Sequence, residues 1–169
     1  MTGVQTCALP ILGGGALLDV GIYPISLAAM VLGVHPVNIT AMATLGPTGV
    51  DDQNMVALQY ENGALALTAS AVRTETPQDA HIIGEKGFIT LHAPFWRAEA
   101  VTLTLPGRDP ETHHLPLTGN GYNYEAEAVV TCMHLGKTEC DTMSLNDTVA
   151  LMGILDAARA QWGLHYPME

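Results

Sequence analysis

Positive charge is scarce in this chain: six Lys and Arg stand against seventeen Asp and Glu, a formal net charge of −11 over 169 residues. A phosphate backbone needs a basic surface, so this balance argues against nucleic acid as a partner. Cysteine is scarce too, with Cys7, Cys132 and Cys140 only. They form no CxxC pair and no disulfide framework, which places the expected setting in a reducing, cytoplasmic compartment. Long hydrophobic runs are missing; the apolar stretch around Ile25 to Val34 is too short and too interrupted to span a bilayer, so no membrane partner is expected. The histidines His35, His81, His92, His134 and His165 are scattered, and His113-His114 would point to opposite faces of a strand, so no metal site is predicted. HEXXH, EF-hand, P-loop and GxGxxG patterns are absent, and the glycines at 13 to 15 follow no strand and make no phosphate loop.

What remains is enough for one globular domain with its own core: 48% of the residues are hydrophobic and 14% charged. The stretch from Gly13 to Gly33 reads as one helix, with Leu17, Val20, Leu27, Met30 and Val31 at helical intervals and Gly33 at the C-terminal cap position. Asp19 and Tyr23, at i and i+4, leave that helix on the same side. Pro24 cannot donate its amide to the Val20 carbonyl, which predicts a bend beside Tyr23. Spacing alone also fits a helix that sets Asp19 against its own dipole and packs an ordinary Tyr.

From Val37 to Leu117 the period changes to two, with turn signals about every ten residues, as in an antiparallel sheet. Strands are predicted over 37 to 45, 53 to 60, 64 to 72, 79 to 83, 88 to 92, 99 to 105 and 111 to 115. A tight Glu61-Asn62-Gly63 hairpin uses the tolerance of Asn-Gly for positive φ. One sheet face is expected to be buried and the other more polar. Phe95 and Trp96, after Pro94, place two aromatics at a strand end, as a core anchor or a pocket wall. Two helices close the chain, one from about Tyr122 to Leu135 with Asn120 as cap. The other follows Ser144, with Asp147 completing a capping box and Leu145, Val149, Met152, Leu155 and Trp162 as the apolar stripe.

The run GGGALLDVGIYP resembles the signature in the second domain of the Gfo/Idh/MocA family of nicotinamide-dependent oxidoreductases, near the branch of dimeric dihydrodiol dehydrogenases and NADP-dependent xylose dehydrogenases. GEKGFITLHAPFW, GYNYEAEAVV and LDAARAQWGLHYP follow in that branch's order, so the resemblance covers about residues 12 to 167. It implies an α+β fold with an open, predominantly antiparallel β-sheet and helices packed on one face, like the C-terminal domain of glyceraldehyde-3-phosphate dehydrogenase. Family members carry a Rossmann domain before this region, and the chain leaves no room for one. Residues 1 to 11, read back through the genetic code from a GTG start, match a common sequencing adapter. The expected organisation is therefore an artefactual leader over 1 to 11 and a substrate-binding and dimerisation domain over 12 to 169.

The resemblance implies Tyr23 as the acid/base group and Asp19 as its partner, with an aromatic of the Phe95-Trp96 pair toward substrate; Tyr122 and Tyr124, which border the first closing helix, could each reach a neighbouring pocket. A phenol with a reference pKa of about 10 is a poor base unless a cation stabilises its phenolate. The family supplies a Lys for this from the Rossmann domain. The expected reaction is oxidation of a CH–OH group of a sugar or trans-dihydrodiol, with NADP or NAD bound by the full-length protein. The isolated chain is expected to be inactive, to bind neither cofactor well, and to form a homodimer through its sheet. The competing reading is a non-catalytic α+β module that assembles through the sheet face.

Overall fold

The computed structural model describes residues 14–166. The adapter reading of residues 1 to 11, and Cys7 with it, lies outside the described residues. The described chain divides into two compact units, residues 14–76 with 144–166 and residues 77–143.

In the first unit, alternation builds β1 (Asn38–Leu45), β2 (Asp51–Gln59) and β3 (Leu65–Ala71) into an antiparallel sheet of order β1-β2-β3. The β2–β3 hairpin closes with the Gly63 amide donating to the Tyr60 carbonyl at 2.9 Å. Only Gly63 takes a positive φ there, 84°. Asn62 instead works through its side chain, whose Oδ1 accepts the Ala64 amide at 3.0 Å. The inner face of β2 presents Val56 and Leu58 to two helices. A π-helical turn (Leu17–Gly21) runs into α1 (Ile22–Leu32), whose Ile25, Ala28 and Ala29 are buried. Full burial of Leu17, Ile25, Leu58 and Leu155 contributes roughly 1.5–3 kcal/mol each.

The last helix of this unit (Leu145–Ala160, labelled α3 below) starts at the predicted capping box: the Asp147 amide donates to Ser144 Oγ and the Ser144 amide to Asp147 Oδ2, each at 3.1 Å. Its buried face is Leu151, Ile154, Leu155 and Ala158. The predicted stripe is thus displaced: Leu145 and Val149 are 64% and 71% exposed, and only Leu155 of that set is fully buried. Both sets have helical spacing, and the choice between them is made by where the sheet lies. After α3, the Gln161 amide takes over the free edge of β1, donating to the Ile39 carbonyl at 3.1 Å and accepting the Ala41 amide at 2.9 Å. A side chain thereby occupies groups that another strand would otherwise pair. The outer face of the sheet departs from the expected polarity: Met42 stands opposite Met55, and Leu65 and Leu67 are 73% and 72% exposed.

The second unit is a meander of β4 (Ala80–Gly84), β5 (Gly87–Leu91), β6 (Ala100–Thr104) and β7 (Glu111–His114), all antiparallel. It is followed by α2 (Tyr122–His134). The α+β class with antiparallel strands and helices is as predicted, but the strands divide between two sheets instead of running through one. The break falls in the segment holding Pro77, which has no amide to continue a ladder. At the start of α2, the cap position belongs to Gly121 in a left-handed conformation, and Asn120 Oδ1 accepts the Tyr122 amide at 3.2 Å from one residue further out. No helix among the described residues is long and apolar enough to cross a membrane.

Candidate active site

The helix that begins at the glycine run has Ala16 at its N-cap, with no side chain there to receive its first amides. A strand supplies the acceptor. The register of β1 against β2 slips between Thr44 and Leu45, so that Thr44 faces Gln53 while Leu45 faces Asp51. This bulge brings Asp51 and Asn54, three residues apart, onto the same inward face. Asp51, wholly buried, accepts the Leu17 amide at 2.8 Å through Oδ2, and the same oxygen accepts Asn54 Nδ2 at 2.8 Å. Asn54 Nδ2 also donates to Ser70 Oγ at 2.7 Å, and Ser70 Oγ donates to the Ala16 carbonyl at 3.4 Å. Burial pushes the Asp51 carboxyl up from its ordinary range, against the lowering effect of the hydrogen bonds from Asn54 and Leu17.

This anchorage requires a glycine at position 15. Gly15 has φ 120°, and a Cβ there would lie 2.3 Å from Asp51 Oδ1. Only glycine permits both that conformation and that approach. From the other end of the chain, Tyr166 Oη donates to the Gly14 carbonyl at 2.8 Å. The helix start is thus held from β2, β3 and the C-terminal segment together.

On this anchored turn sit the two residues singled out by spacing. An irregularity lies ahead of the position where a bend was expected: the π turn Leu17–Gly21 gives way at Ile22 to α-helix that runs through Tyr23 and Pro24. Asp19 lies within the π turn and Tyr23 in the first turn of α1, and both are exposed, Tyr23 at 48%. A carboxylate and a phenol are therefore presented one turn apart from a rigid backbone. A shallow groove bounded by Leu32, Gly33, His35, Tyr60 and Glu61 lies at the opposite end of α1. At 1.5 Å per residue it is about 14 Å along the helix from Tyr23, so it does not continue the site.

The other predicted site residues lie in the second unit. Phe95 and Trp96 form a short turn (Phe95–Arg97) with their rings edge to face, centroids 5.3 Å apart; Phe95 is half-buried and Trp96 is 45% exposed. Tyr122 is 74% exposed at the first position of α2. Its neighbour Tyr124 is the better anchored, its phenol oxygen accepting the Thr118 amide at 2.9 Å. Among the described residues no three His, Cys, Asp or Glu side chains are grouped to hold a metal.

The sequence reading missed Asp51, Asn54 and Ser70. The strand predicted from residue 53 leaves Asp51 outside it, and a bulge inverts the parity that alternation relies on. The available signal was the uncapped helix start, which demands an acceptor from elsewhere in the chain.

Comparison with known proteins adds a family to this geometry. The GFO/IDH/MocA C-terminal domain model matches residues 7–90, a stretch that holds Asp19, Asp51 and Tyr23 but ends before Phe95. A trans-1,2-dihydrobenzene-1,2-diol dehydrogenase from Danio rerio is 37% identical over 178 residues, covering 100% of this chain and 52% of that protein. The enzyme of that name from Homo sapiens is 30% identical, covering 92% of this chain and 48% of that protein. Among solved structures, KijD10, a 3-ketoreductase from Actinomadura kijaniata in complex with NADP and TDP-benzene, has a TM-score of 0.79 at 20% identity. That match covers 95% of this chain and 50% of that chain. An aldose-aldose oxidoreductase from Caulobacter crescentus complexed with glycerol has a TM-score of 0.69 at 25% identity, over 88% of this chain and 47% of that chain. The chain spans about half the length of the curated relatives it matches.

Proposed function

We propose that this chain, which belongs to the GFO/IDH/MocA C-terminal domain family, is the substrate-binding and catalytic half of an oxidoreductase that acts on a CH–OH group of a trans-dihydrodiol or sugar. The observation that carries the reading is the exposed pair Asp19 and Tyr23 on a helix start pinned by a buried carboxylate. Oxidising an alcohol requires that its hydroxyl proton be taken up, and we assign that uptake to Tyr23 Oη. Asp19, one turn away, orients the substrate hydroxyl or the phenol. Phe95, Trp96 and Tyr122 remain the candidates for apolar and stacking contacts with the substrate.

The described residues do not fit the dinucleotide itself. Every strand pairing among them is antiparallel, so they hold no parallel βαβ unit of the kind that cradles a pyrophosphate; β7 does lead through Gly119 and Gly121 to the start of α2, but from the edge of an antiparallel meander. NADP or NAD is therefore assigned to the other half of the enzyme. The test is a hydride-transfer assay, read by nicotinamide absorbance, on the chain alone and on the chain fused to the Rossmann half of a dihydrodiol dehydrogenase. Turnover of a trans-dihydrodiol or an aldose by the fusion, with none by the chain alone, is expected. A fusion that binds cofactor and folds but oxidises neither class would refute the assignment.

The apolar outer face of the β1-β2-β3 sheet is best read as the surface on which a second copy packs. Met42, Met55, Leu65 and Leu67 are exposed on one face that strand alternation would otherwise leave polar. Sedimentation is expected to give a dimer. Leu67→Glu, which buries a carboxylate in such an interface, should weaken association about 100-fold or more. A wild-type monomer at every concentration would reject the interface.

A further inference from the structure

β1 is an outer strand of its sheet, and its eight residues, NITAMATL, include no charged residue, no Pro and no Gly. A strand that ends a sheet is ordinarily kept from pairing with another chain by charge, by Pro or by a bulge that twists the edge away. Over residues 38 to 44 β1 has none of these: its register against β2 is unbroken there, and the one irregularity falls after Thr44. Uncharged runs of this kind template the addition of further strands. One side chain stands where the next strand would. Gln161, the residue that caps the C-terminal end of α3, donates from Nε2 to the Ile39 carbonyl at 3.1 Å and accepts the Ala41 amide on Oε1 at 2.9 Å. The carboxamide thus offers the edge one N–H and one C=O, as the backbone of an added strand does. Nε2 also donates to the Ala157 carbonyl at 3.2 Å, within α3. The chain is fixed on both sides of Gln161, by wholly buried Ala158 before it and by buried Leu164 and Tyr166 after it. Gln161 itself is exposed, so the groups it occupies lie at the solvent boundary.

We propose that Gln161 is an edge guard: it occupies the β1 peptide groups that would otherwise pair with β1 of a second copy, and so stops the sheet from extending strand to strand. The partner kept out is a second copy because each molecule carries the same uncharged strand. Two such strands pair antiparallel about a twofold axis with no like charges opposed. A side chain is an effective plug here because it saturates the edge without offering a new one. An added strand would satisfy Ile39 and Ala41 equally well but would present its own unpaired groups on its far side. The edge lies in the plane of the sheet and is distinct from the outer face to which the dimer is assigned above. The guard therefore does not depend on that face, and its test is made with the face disabled.

The full chain carrying Leu67→Glu is the parent for this test, since that change takes face-to-face association out of the readout. Gln161→Met keeps the length of the side chain and deletes the carboxamide. In sedimentation velocity it should associate at concentrations about tenfold or more below those at which the parent does. In dilute solution, where the variant is monomeric, the Ala41 amide should exchange about tenfold faster than in the parent, and concentrating the sample should slow it again as β1 pairs. Gln161→Glu keeps an acceptor for the Ala41 amide, cannot donate to the Ile39 carbonyl, and sets a carboxylate on the edge; it should stay as monomeric as the parent. A residue that merely ties α3 to β1 would lower the urea midpoint in both variants and drive association in neither. Adding Thr40→Lys to Gln161→Met should restore the monomer, because a charge on the exposed side of β1 replaces the lost guard. Four results would each overturn the proposal: Gln161→Met with the parent's mass at every concentration, association without renewed protection of the Ala41 amide, Gln161→Glu associating as readily as Gln161→Met, or association that survives Thr40→Lys and so comes from unfolded chain.

Discussion

Tyr23→Phe, in the fusion that oxidises alcohol, is expected to lower kcat by about 10²- to 10⁴-fold, an increase of about 3–5 kcal/mol in the barrier. Cofactor affinity should be nearly unchanged. The substitution deletes one oxygen and keeps the ring, and Tyr23 is already 48% exposed, so little packing is at stake. The anchoring contacts of the helix start run through Leu17, Ala16 and Gly14, none of which involves the Tyr23 side chain. The variant should therefore unfold at the same urea midpoint as the parent. A loss confined to kcat marks a group that acts in the transition state, whereas a loss confined to KM would mark ground-state binding only. Full turnover by the Phe variant would remove Tyr23 from the acid/base role. A fall in the urea midpoint would mean that the lost rate reports folding and not proton transfer.

How far the sequence alone reached depends on which signal each element carries. Strands declare themselves locally: β1, β3 and β6 fall close to their predicted spans because each reads as uninterrupted alternation between turn residues. The Ser144 capping box is likewise local, both partners lying within one turn. The stripe of α3 is not. Leu145, Val149 and Met152 satisfy helical spacing as well as Leu151, Ile154 and Ala158 do, and only the sheet decides which stripe it covers. The same limit hid the support of the candidate site. Asp19 and Tyr23 are four residues apart and legible at once, but the carboxylate that fixes their helix stands 34 residues from Leu17 and faces inward because of a bulge. A bulge follows from how two strands meet, and nothing in the run Asp51-Asp52-Gln53-Asn54 states which partner residue will be skipped.

That buried carboxylate should dominate the stability of the first unit. Asp51→Ala removes the acceptor for both the Leu17 amide and Asn54 Nδ2 and leaves two buried donors without it. With the cavity left by the side chain, the expected cost is about 2–4 kcal/mol, read as a lower urea midpoint. Amide exchange at Leu17 and Asp19 should quicken with it, since the π turn then loses its fastening. Asp51→Asn is the sharper probe because it keeps an acceptor oxygen and removes the charge. Burial raises the carboxyl of folded Asp51 above its ordinary value of 3.8. For a group shifted in this direction, the stabilising contribution is complete below the unfolded value and is lost as pH rises through the folded one. The wild type should therefore lose ground relative to Asp51→Asn as pH climbs from below 3.8 toward neutrality. Taking the difference between the two proteins cancels the titration of the other acids they share. Urea midpoints measured across that range would decide it: a gap that stays constant with pH, or that moves in the wild type's favour as pH rises, would show that the charge on Asp51 is solvated or paired and does not stand buried beneath the helix that carries Asp19 and Tyr23.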